Sequence, residues 1–271
     1  MFFFVKRIKN RRNRAKNSAL FPKKINGTRS CDKNDIENNY SYALAMYEKL
    51  EKYEVSMQVP SVGIDESVVV RLDGKGLTAR FKNHEELFLS DFHLAMKRVM
   101  ENIKKYCPYV TFAYSFKDEI SLLINKEQIE HSEDFQNRIE KVLPLLSGYI
   151  SAMFSQYISK KLKTSPCEAF TFDARIIILP NLQLQDYFHS RQAFAMSGFI
   201  DRICSFKHLT PESRTFSNVK KALKSIGDDW YKYPQYVCSG YVGRYENGKW
   251  LVDTASDFMQ KWSKYENNLG V

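Results

Sequence analysis

A hairpin with an acidic tip is the feature that most constrains the fold of this chain. Two apolar runs, Tyr109 to Phe116 and Ile120 to Ile124, are separated only by Lys117, Asp118 and Glu119. Such a short connection allows the two segments to pair only as antiparallel neighbours. The sequence therefore predicts a strand, a tight turn that carries acidic residues, and a second strand.

Another acid follows a strand earlier in the chain. The β-branched run Ser67 to Leu72 is typical of a buried strand, and Asp73-Gly74 comes directly after it. Carboxylate oxygens at strand ends are the hard ligands that bind divalent metal ions, which in turn bind phosphate. Asp73 and Asp118 are therefore candidate metal ligands if their strands lie side by side.

Helical periodicity separates the predicted strands. Apolar residues recur at helical steps from Phe92 to Ile103 and from Phe135 to Ile158, where Pro144 is expected to kink the helix or mark a break. The extended segment from Phe170 to Leu179, which Pro180 stops, predicts a fourth strand. The order is β-α-β-β-α-β, the arrangement of ferredoxin-like α+β domains, and it allows the acids to meet at one edge of the sheet.

The rest of the chain predicts additional C-terminal helices and a β-hairpin. Helices are expected over 186–206 and 212–224, and Asn247-Gly248 favours a tight turn between strands at 235–244 and 248–252. We therefore expect three parts. They are a basic N-terminal extension over 1–45, flexible or targeting; a ferredoxin-like domain over 46–182; and a helical and hairpin portion over 183–271 that packs on that domain.

Four short segments carry a resemblance to a known family. They are Arg71 to Gly76, Asp118 to Ser121, Phe172 to Arg175, and Asp186 to Gln192. In order and spacing they resemble the tRNA-His guanylyltransferase family and its Thg1-like relatives. The resemblance implies a polymerase-like palm domain that adds nucleotides to the 5′ end of tRNA in the 3′-to-5′ direction.

The resemblance also implies roles for individual residues. Asp73 and Asp118 match metal-binding carboxylates, Gly74 matches a backbone-carbonyl ligand, and Glu119 completes the predicted catalytic set. The sequence leaves open whether Glu119 binds metal, orients a ligand or holds the hairpin. The implied cofactors are two Mg²⁺ ions, with GTP and ATP as substrates. Contacts to nucleotide, phosphate or RNA are expected from Arg71, Lys75, Lys82, Lys117, Ser121, Lys141, Arg175, Arg191 and Gln192.

Departures from the family pattern bear on the substrate. Lys117 stands where the family commonly has serine, and it could contact a triphosphate or pair with Asp118. Glu86 to Leu89 replaces the usual Lys-Pro-x-Asp, which leaves Lys82 as a substitute for the missing lysine. Ala193 to Phe199 replaces the Asp-Cys-His-Ile-Asn-Asn typical of histidine guanylyltransferases. The resemblance therefore favours a Thg1-like relative that acts on other 5′-incomplete tRNAs.

Composition agrees with an RNA partner. The formal charge is +10, and a basic stretch from Lys6 to Arg29 precedes the first acid, Asp32. That arm could bind RNA, be a disordered tail or be a mitochondrial presequence. We expect a cytoplasmic location, and the presequence reading makes the mitochondrion the alternative. No stretch is apolar for long enough to span a bilayer, and the cysteines lack the spacing of a zinc site.

The leading prediction is a magnesium-dependent nucleotidyltransferase that performs 5′-end repair or G addition on tRNA. Its partners would be tRNA and nucleoside triphosphates, and the family implies a homo-tetramer or dimer. One alternative is a tRNA- or RNA-binding module with a palm fold and weak or lost transferase activity, against which the retained acids argue. Another is a nucleotide cyclase or dinucleotide synthase, to which the pattern from Phe172 to Gln192 gives no support.

Overall fold

The predicted hairpin lies in the middle of a sheet that has seven strands among the described residues. The computed structural model describes residues 45–50, 53–55, 62–81, 84–130, 141–162, 169–211 and 215–256. The strands are β1 (Glu54–Val55), β2 (Glu66–Gly74), β3 (Val110–Phe116), β4 (Glu119–Ile124), β5 (Phe172–Pro180), β6 (Tyr241–Glu246) and β7 (Lys249–Thr254). Their order across the sheet is β1-β5-β2-β4-β3-β6-β7, and each neighbouring pair is antiparallel.

Helices cover both faces of this sheet. They are α1 (Leu77–Arg80), α2 (Glu85–Leu87), α3 (His93–Tyr106), α4 (Lys126–Glu130), α5 (Val142–Leu162), α6 (Leu184–Phe206), α7 (Phe216–Ser225) and α8 (Gln235–Ser239). A π-helical turn, Phe88–Phe92, joins α2 to α3, and residues 45–50 are also helical. None of the described helices is long and apolar enough to cross a membrane.

Strands β2 to β5, together with α3 and α5, form the predicted β-α-β-β-α-β unit. These strands lie in the order β5-β2-β4-β3, with α3 connecting β2 to β3 and α5 connecting β4 to β5. That order is the ferredoxin-like one. The β6-β7 hairpin extends the sheet beside β3, and α6 to α8 belong to the same C-terminal region. The predicted α+β fold is confirmed.

Alternation along β2 decides which side chains reach the candidate site. The even-numbered residues from Val68 to Leu72 are buried in a core formed with α3 and α5. Val69 belongs instead to the core on the opposite face, which is built against α6. Successive side chains of a strand point to opposite faces, so Arg71 and Asp73 share the α6 side with Val69.

The predicted fourth strand is continuous, and the predicted break at Pro144 proves to be part of a regular helix. Asp173 to Arg175 lie within β5, where they continue the pairing with β2. Pro144 lies in the first turn of α5, where its missing N–H removes no helical hydrogen bond. The predicted helical positions Phe135 and Ile139 lie outside the described residues.

The C-terminal region differs from the prediction at two element boundaries. Residues 235–239 form α8, so the predicted strand over 235–244 begins only at Tyr241. Gly240, with φ of 84°, separates the helix from the strand. The predicted helix at 212–224 is α7, which begins at Phe216. Thr215 is its N-cap residue, and the Thr215 side chain accepts a hydrogen bond from the Asn218 N–H.

The predicted division into three parts stays a prediction. Residues 1–44 of the basic extension lie outside the described residues, as does the segment after residue 256. The described residues all belong to one unit, Lys33–Val271. Within them, Cys107, Cys204 and Cys238 are buried free thiols.

Candidate active site

Strand register brings acids from three strands into one row. Asp73 on β2 lies directly opposite Glu119 on β4 and opposite Asp173 on β5. Asp118 precedes β4 in the hairpin turn, and its carbonyl accepts a 2.8 Å hydrogen bond from the N–H of Gly74. The end of β2 and the hairpin tip therefore meet at one edge of the sheet.

Gly74 permits this close approach. A Cβ at position 74 would lie 2.3 Å from Cδ1 of Leu77 and 2.9 Å from Cβ of Asp118. Both distances are shorter than non-bonded carbon atoms tolerate, so any side chain there would displace the Asp118 turn or α1. The bare backbone of Gly74 thus lies directly beside Asp118.

Burial and the neighbouring carboxylates raise the pKa of Asp73. Burial, followed by the carboxylates of Asp118, Glu119 and Asp173, raises the pKa of Asp73 to about 8, against a lowering effect of Arg71. Burial also raises the pKa of Asp118, and Lys117 opposes this shift. Negative charge is therefore crowded at this edge of the sheet, and a nearby cation would relieve it.

Glu119 is bound by an arginine from α6. The Nε of Arg191 donates to Oε1 of Glu119 at 2.8 Å, and Nη2 donates to Oε2 at 2.7 Å. The guanidinium carbon also lies 4.8 Å from the centre of the Phe194 ring. Such a paired, charge-assisted contact joins the hairpin to α6, which favours the holding role among those that the sequence left open for Glu119.

Arg71 and Arg191 line one small cleft between the sheet and α6. The other residues that line it are Tyr47, Leu50, Ile177, Tyr187 and Ser190. Ser121 lies beside it, with its hydroxyl 2.9 Å from the hydroxyl of Tyr187. Guanidinium groups suit phosphate oxygens, and that of Arg191 is already paired with Glu119. Sequence reasoning assigned no role to Tyr187, although it belongs to one of the quoted segments.

The remaining predicted contacts on the sheet are more exposed. Arg175 lies opposite Arg71 in the β2-β5 register, and its Nη2 is 3.3 Å from Oδ2 of Asp173. Lys75 is exposed, and its backbone N–H donates to the Thr171 carbonyl at 2.8 Å. Both residues lie at the same end of the sheet as Asp73.

Two of the remaining predicted contacts are not brought to the acids, and a third is not among the described residues. Gln192 donates from Nε2 to the Ala255 carbonyl at 2.7 Å, so it ties α6 to the end of β7. Lys141 immediately precedes α5, the helix that packs on the opposite face of the sheet from α6. Lys82 lies outside the described residues. All three roles stay predictions.

A basic group that the sequence did not reveal lies behind the hairpin turn. Arg202 of α6 is buried, with its guanidinium carbon 4.4 Å from the centre of the Phe88 ring. Burial lowers the pKa of this guanidinium, and the carboxylate of Asp118 opposes that shift. Gly198, one turn earlier on α6, contacts Lys117. A glycine within a helical pattern was the available signal, because it often marks a close approach.

The acids fit a magnesium site that substrate phosphates would complete. Among the residues that the structure describes, no three His, Cys, Asp or Glu side chains form a ready-made metal cluster. Magnesium is commonly held by one or two carboxylates together with phosphate oxygens, so such a cluster is not required. Asp73 and Asp118 would supply the carboxylates, and the buried backbone of Gly74 lies directly beside Asp118.

Comparison with known families decides the class of protein. The family model for tRNAHis guanylyltransferase (Thg1) matches residues 47–180, which contain the acids described above. The chain belongs to the tRNAHis guanylyltransferase family. It is therefore a guanylyltransferase-like nucleotidyltransferase, and the family implies that tRNA is its substrate.

Solved structures of the tRNAHis guanylyltransferase family share the fold. A bacterial tRNA(His) guanylyltransferase (Thg1)-like protein in complex with ATP is 21% identical, with a TM-score of 0.64, over 84% of this chain and 98% of its own. Its complex with GTP gives 20% identity and a TM-score of 0.60 over the same shares. The Saccharomyces cerevisiae tRNA(His) guanylyltransferase gives 20% and 0.55, over 76% of this chain and 94% of its own. No curated protein sequence matched significantly.

Proposed function

We propose that this protein is a magnesium-dependent nucleotidyltransferase that adds nucleotides to the 5′ end of tRNA in the 3′-to-5′ direction. The observation that carries the proposal is the meeting of Asp73, Gly74 and Asp118 at one edge of a ferredoxin-like palm. Bacterial relatives bind ATP and GTP, which supports both nucleotides as substrates. Repair of 5′ ends and addition of G are both reactions of this kind.

Asp73, Asp118 and the carbonyl of Gly74 are the groups that would hold two magnesium ions. When bound, magnesium supplies positive charge that neutralises the triphosphate and aligns the reacting oxygens. Arg71 and Arg191 line a cleft on the same face, where their guanidinium groups suit the phosphates of the tRNA end or of the nucleotide. The proposed reaction requires no histidine or protein nucleophile.

On a triphosphorylated tRNA end, the proposed reaction exchanges a phosphoanhydride bond for a phosphodiester bond. The 3′-hydroxyl oxygen of the incoming nucleotide attacks the α-phosphorus of the tRNA end. A new P–O bond forms, the bond to pyrophosphate breaks, and pyrophosphate leaves with the electron pair. The hydroxyl proton passes to solvent. The protein contributes by binding and alignment, which suffices for much of phosphoryl-transfer catalysis.

The α6 segment after Gln192 supports substrates other than tRNA-His. Ala193 and Ala195 are buried, and Phe194 packs against the Arg191 guanidinium and edge-on against Tyr47, with ring centres 5.8 Å apart. These side chains serve packing, and they offer none of the polar groups that the family typically has there. The proposed substrate is therefore a 5′-incomplete tRNA.

The proposal is tested by measuring incorporation of labelled GTP, and of each other nucleotide, at the 5′ end of two RNAs. One is intact tRNA-His, and the other is a tRNA that lacks its first residue. Asp73→Asn and Asp118→Asn should abolish magnesium-dependent incorporation. Asp91→Asn, which removes a carboxylate paired with Lys161 at 3.1 Å, is a matched control. Preference for the truncated tRNA would support repair. Tight tRNA binding without incorporation on either RNA would refute the transferase proposal and favour an RNA-binding module.

The proposal extends to assembly and location. The family resemblance supports a homo-tetramer or dimer, which sedimentation equilibrium would measure. A cytoplasmic location, with mitochondria as the alternative, would be read from a tagged full-length chain compared with one that lacks residues 1–44.

A further inference from the structure

The turn that carries Asp118 also carries a lysine in an uncommon backbone conformation. Lys117 has φ of 49°, in the left-handed region that residues other than glycine seldom adopt. Its ammonium group lies against α6 at Gly198, where a Cβ would stand 2.4 Å from Nζ and 3.0 Å from Cε. Glycine at position 198 therefore leaves the space that the lysine side chain occupies.

The ring of Phe116 forms another wall of this space. Nζ of Lys117 lies 5.3 Å from the centre of that ring, within the range of a cation–π contact. A Cβ at Gly198 would also stand 3.2 Å from Cζ of Phe116. Glycine weakens the interior of a helix relative to alanine, so α6 accommodates this lysine at a cost to its own stability.

A second cation supports the first. Arg202 follows Gly198 by one helical turn, on the same side of α6, and its guanidinium lies over the rings of Phe88 and Phe206 at 4.4 and 5.1 Å. Lys117 is the residue directly before Asp118, and its contact with Gly198 places this turn one helical turn from Arg202. Burial raises the pKa of the Asp118 carboxyl, and both cations oppose that rise. Positive charge is therefore held behind Asp118 by the fold.

We propose that Lys117, supported by Arg202, is a built-in counter-cation of Asp118 that weakens the binding of divalent metal at the proposed active site. This inference rests on the proposed function, because it concerns the same acids. A positive charge beside a carboxylate repels an incoming divalent ion and shields the carboxylate from it. The family commonly has serine at this position, so the counter-cation is a property of this chain.

A titration of the full-length protein with Mn²⁺, in the absence of nucleotide, tests the proposal. The electron paramagnetic resonance signal of free Mn²⁺ measures how much of the ion is bound. Lys117→Met should tighten Mn²⁺ binding about three- to tenfold, since a unit charge is removed near the ligand. Gly198→Ala, whose methyl group displaces Nζ, should act in the same direction. Lys160→Met removes an equal charge from the exposed side of α5 and should change nothing.

An unchanged or weaker Mn²⁺ affinity in Lys117→Met would overturn the inference. If GTP binding weakened in the same variant while Mn²⁺ binding stayed constant, Lys117 would be a triphosphate contact instead. Asp73→Asn and Asp118→Asn separate this outcome from failure of the proposed function. If wild type bound no Mn²⁺, or if these variants bound it as wild type does, the metal site itself would be refuted, and the inference with it.

Discussion

Arg191 and Glu119 meet through paired hydrogen bonds, with Nε to Oε1 at 2.8 Å and Nη2 to Oε2 at 2.7 Å. Their side chains are only 9% and 18% exposed. Because Glu119 faces Asp73 across the β2-β4 ladder, this contact holds α6 over the acidic edge of the sheet. This ion pair therefore couples the helix to the candidate active site.

A double-mutant cycle measures that dependence. Glu119→Gln and Arg191→Met should each lower the free energy of unfolding by about 2 to 4 kcal/mol, because each leaves a mostly buried charge without its partner. The double variant should lose less than the sum of the two, by about 1 to 3 kcal/mol. Urea unfolding followed by circular dichroism supplies all three values. Strictly additive losses would show that the pair does not couple α6 to the hairpin.

Substitution of Gly74 should damage activity more than stability. The methyl group of Gly74→Ala would collide with Leu77 and Asp118 and shift the turn, so we expect at least a tenfold loss of nucleotide addition and a loss of about 1 to 3 kcal/mol of unfolding free energy. Gly148→Ala is the matched control, because nothing lies within 4 Å of its Cβ position in α5. That variant should be neutral or slightly more stable. Wild-type activity in Gly74→Ala would contradict the proposed role of the close approach.

Gly240 should be the glycine least tolerant of substitution among those of the C-terminal region that the structure describes. Its φ is 84°, and a Cβ would stand 2.2 Å from the Ser115 carbonyl oxygen. Gly240→Ala should therefore lower the melting temperature markedly, with a loss of about 2 to 4 kcal/mol from strain and collision together. Gly248→Ala has a similar φ of 74° but open space, and should cost only about 1 kcal/mol. Equal losses in the two variants would mean that the collision contributes nothing.

Buried His93 should make stability fall in mild acid. Burial, with Lys117 and Arg202 nearby, lowers the pKa of His93 from 6.5 to about 3. Below pH 6.5 the unfolded chain takes up a proton that the folded protein refuses until about pH 3, so the free energy of unfolding decreases over that window. The contribution between pH 7.5 and 5.5 is about 1.4 kcal/mol.

His93→Phe should remove this part of the pH dependence. The variant keeps an aromatic ring against Phe88, Phe92 and Tyr236, and Nε2 of His93 has no hydrogen-bond partner among the described residues. Urea unfolding of both proteins at the two pH values provides the comparison. Identical pH dependence in wild type and variant would show that His93 titrates normally in the folded protein.

The palm was predictable because its signals are local. The short connection at Lys117 and Asp118 required antiparallel pairing, and apolar spacing from Phe92 to Ile103 required a helix. Alternation in β2 then set which residues share a face with Asp73. Together these signals were sufficient to bring Asp73 and Asp118 to one edge of the sheet.

Contacts made across the sheet by α6 were not predictable in this way. Periodicity gives the length of a helix but neither its direction nor the residues it crosses, so the partners of Glu119 and Gln192 were unknown from sequence. Helix α8 was missed because Tyr236 and Tyr241 resemble strand residues. Glycine is common just after the end of a helix, so Gly240 was the signal that would have indicated α8.

The most direct test follows the phosphates of the tRNA end. A tRNA that lacks its first residue and carries a 5′-triphosphate labelled at the γ position should, with Mg²⁺ and unlabelled GTP, release labelled pyrophosphate as it becomes one nucleotide longer. Asp73→Asn should do neither. Extension with the label retained, or equal release by Asp73→Asn, would contradict 3′-to-5′ addition at the Asp73 and Asp118 site.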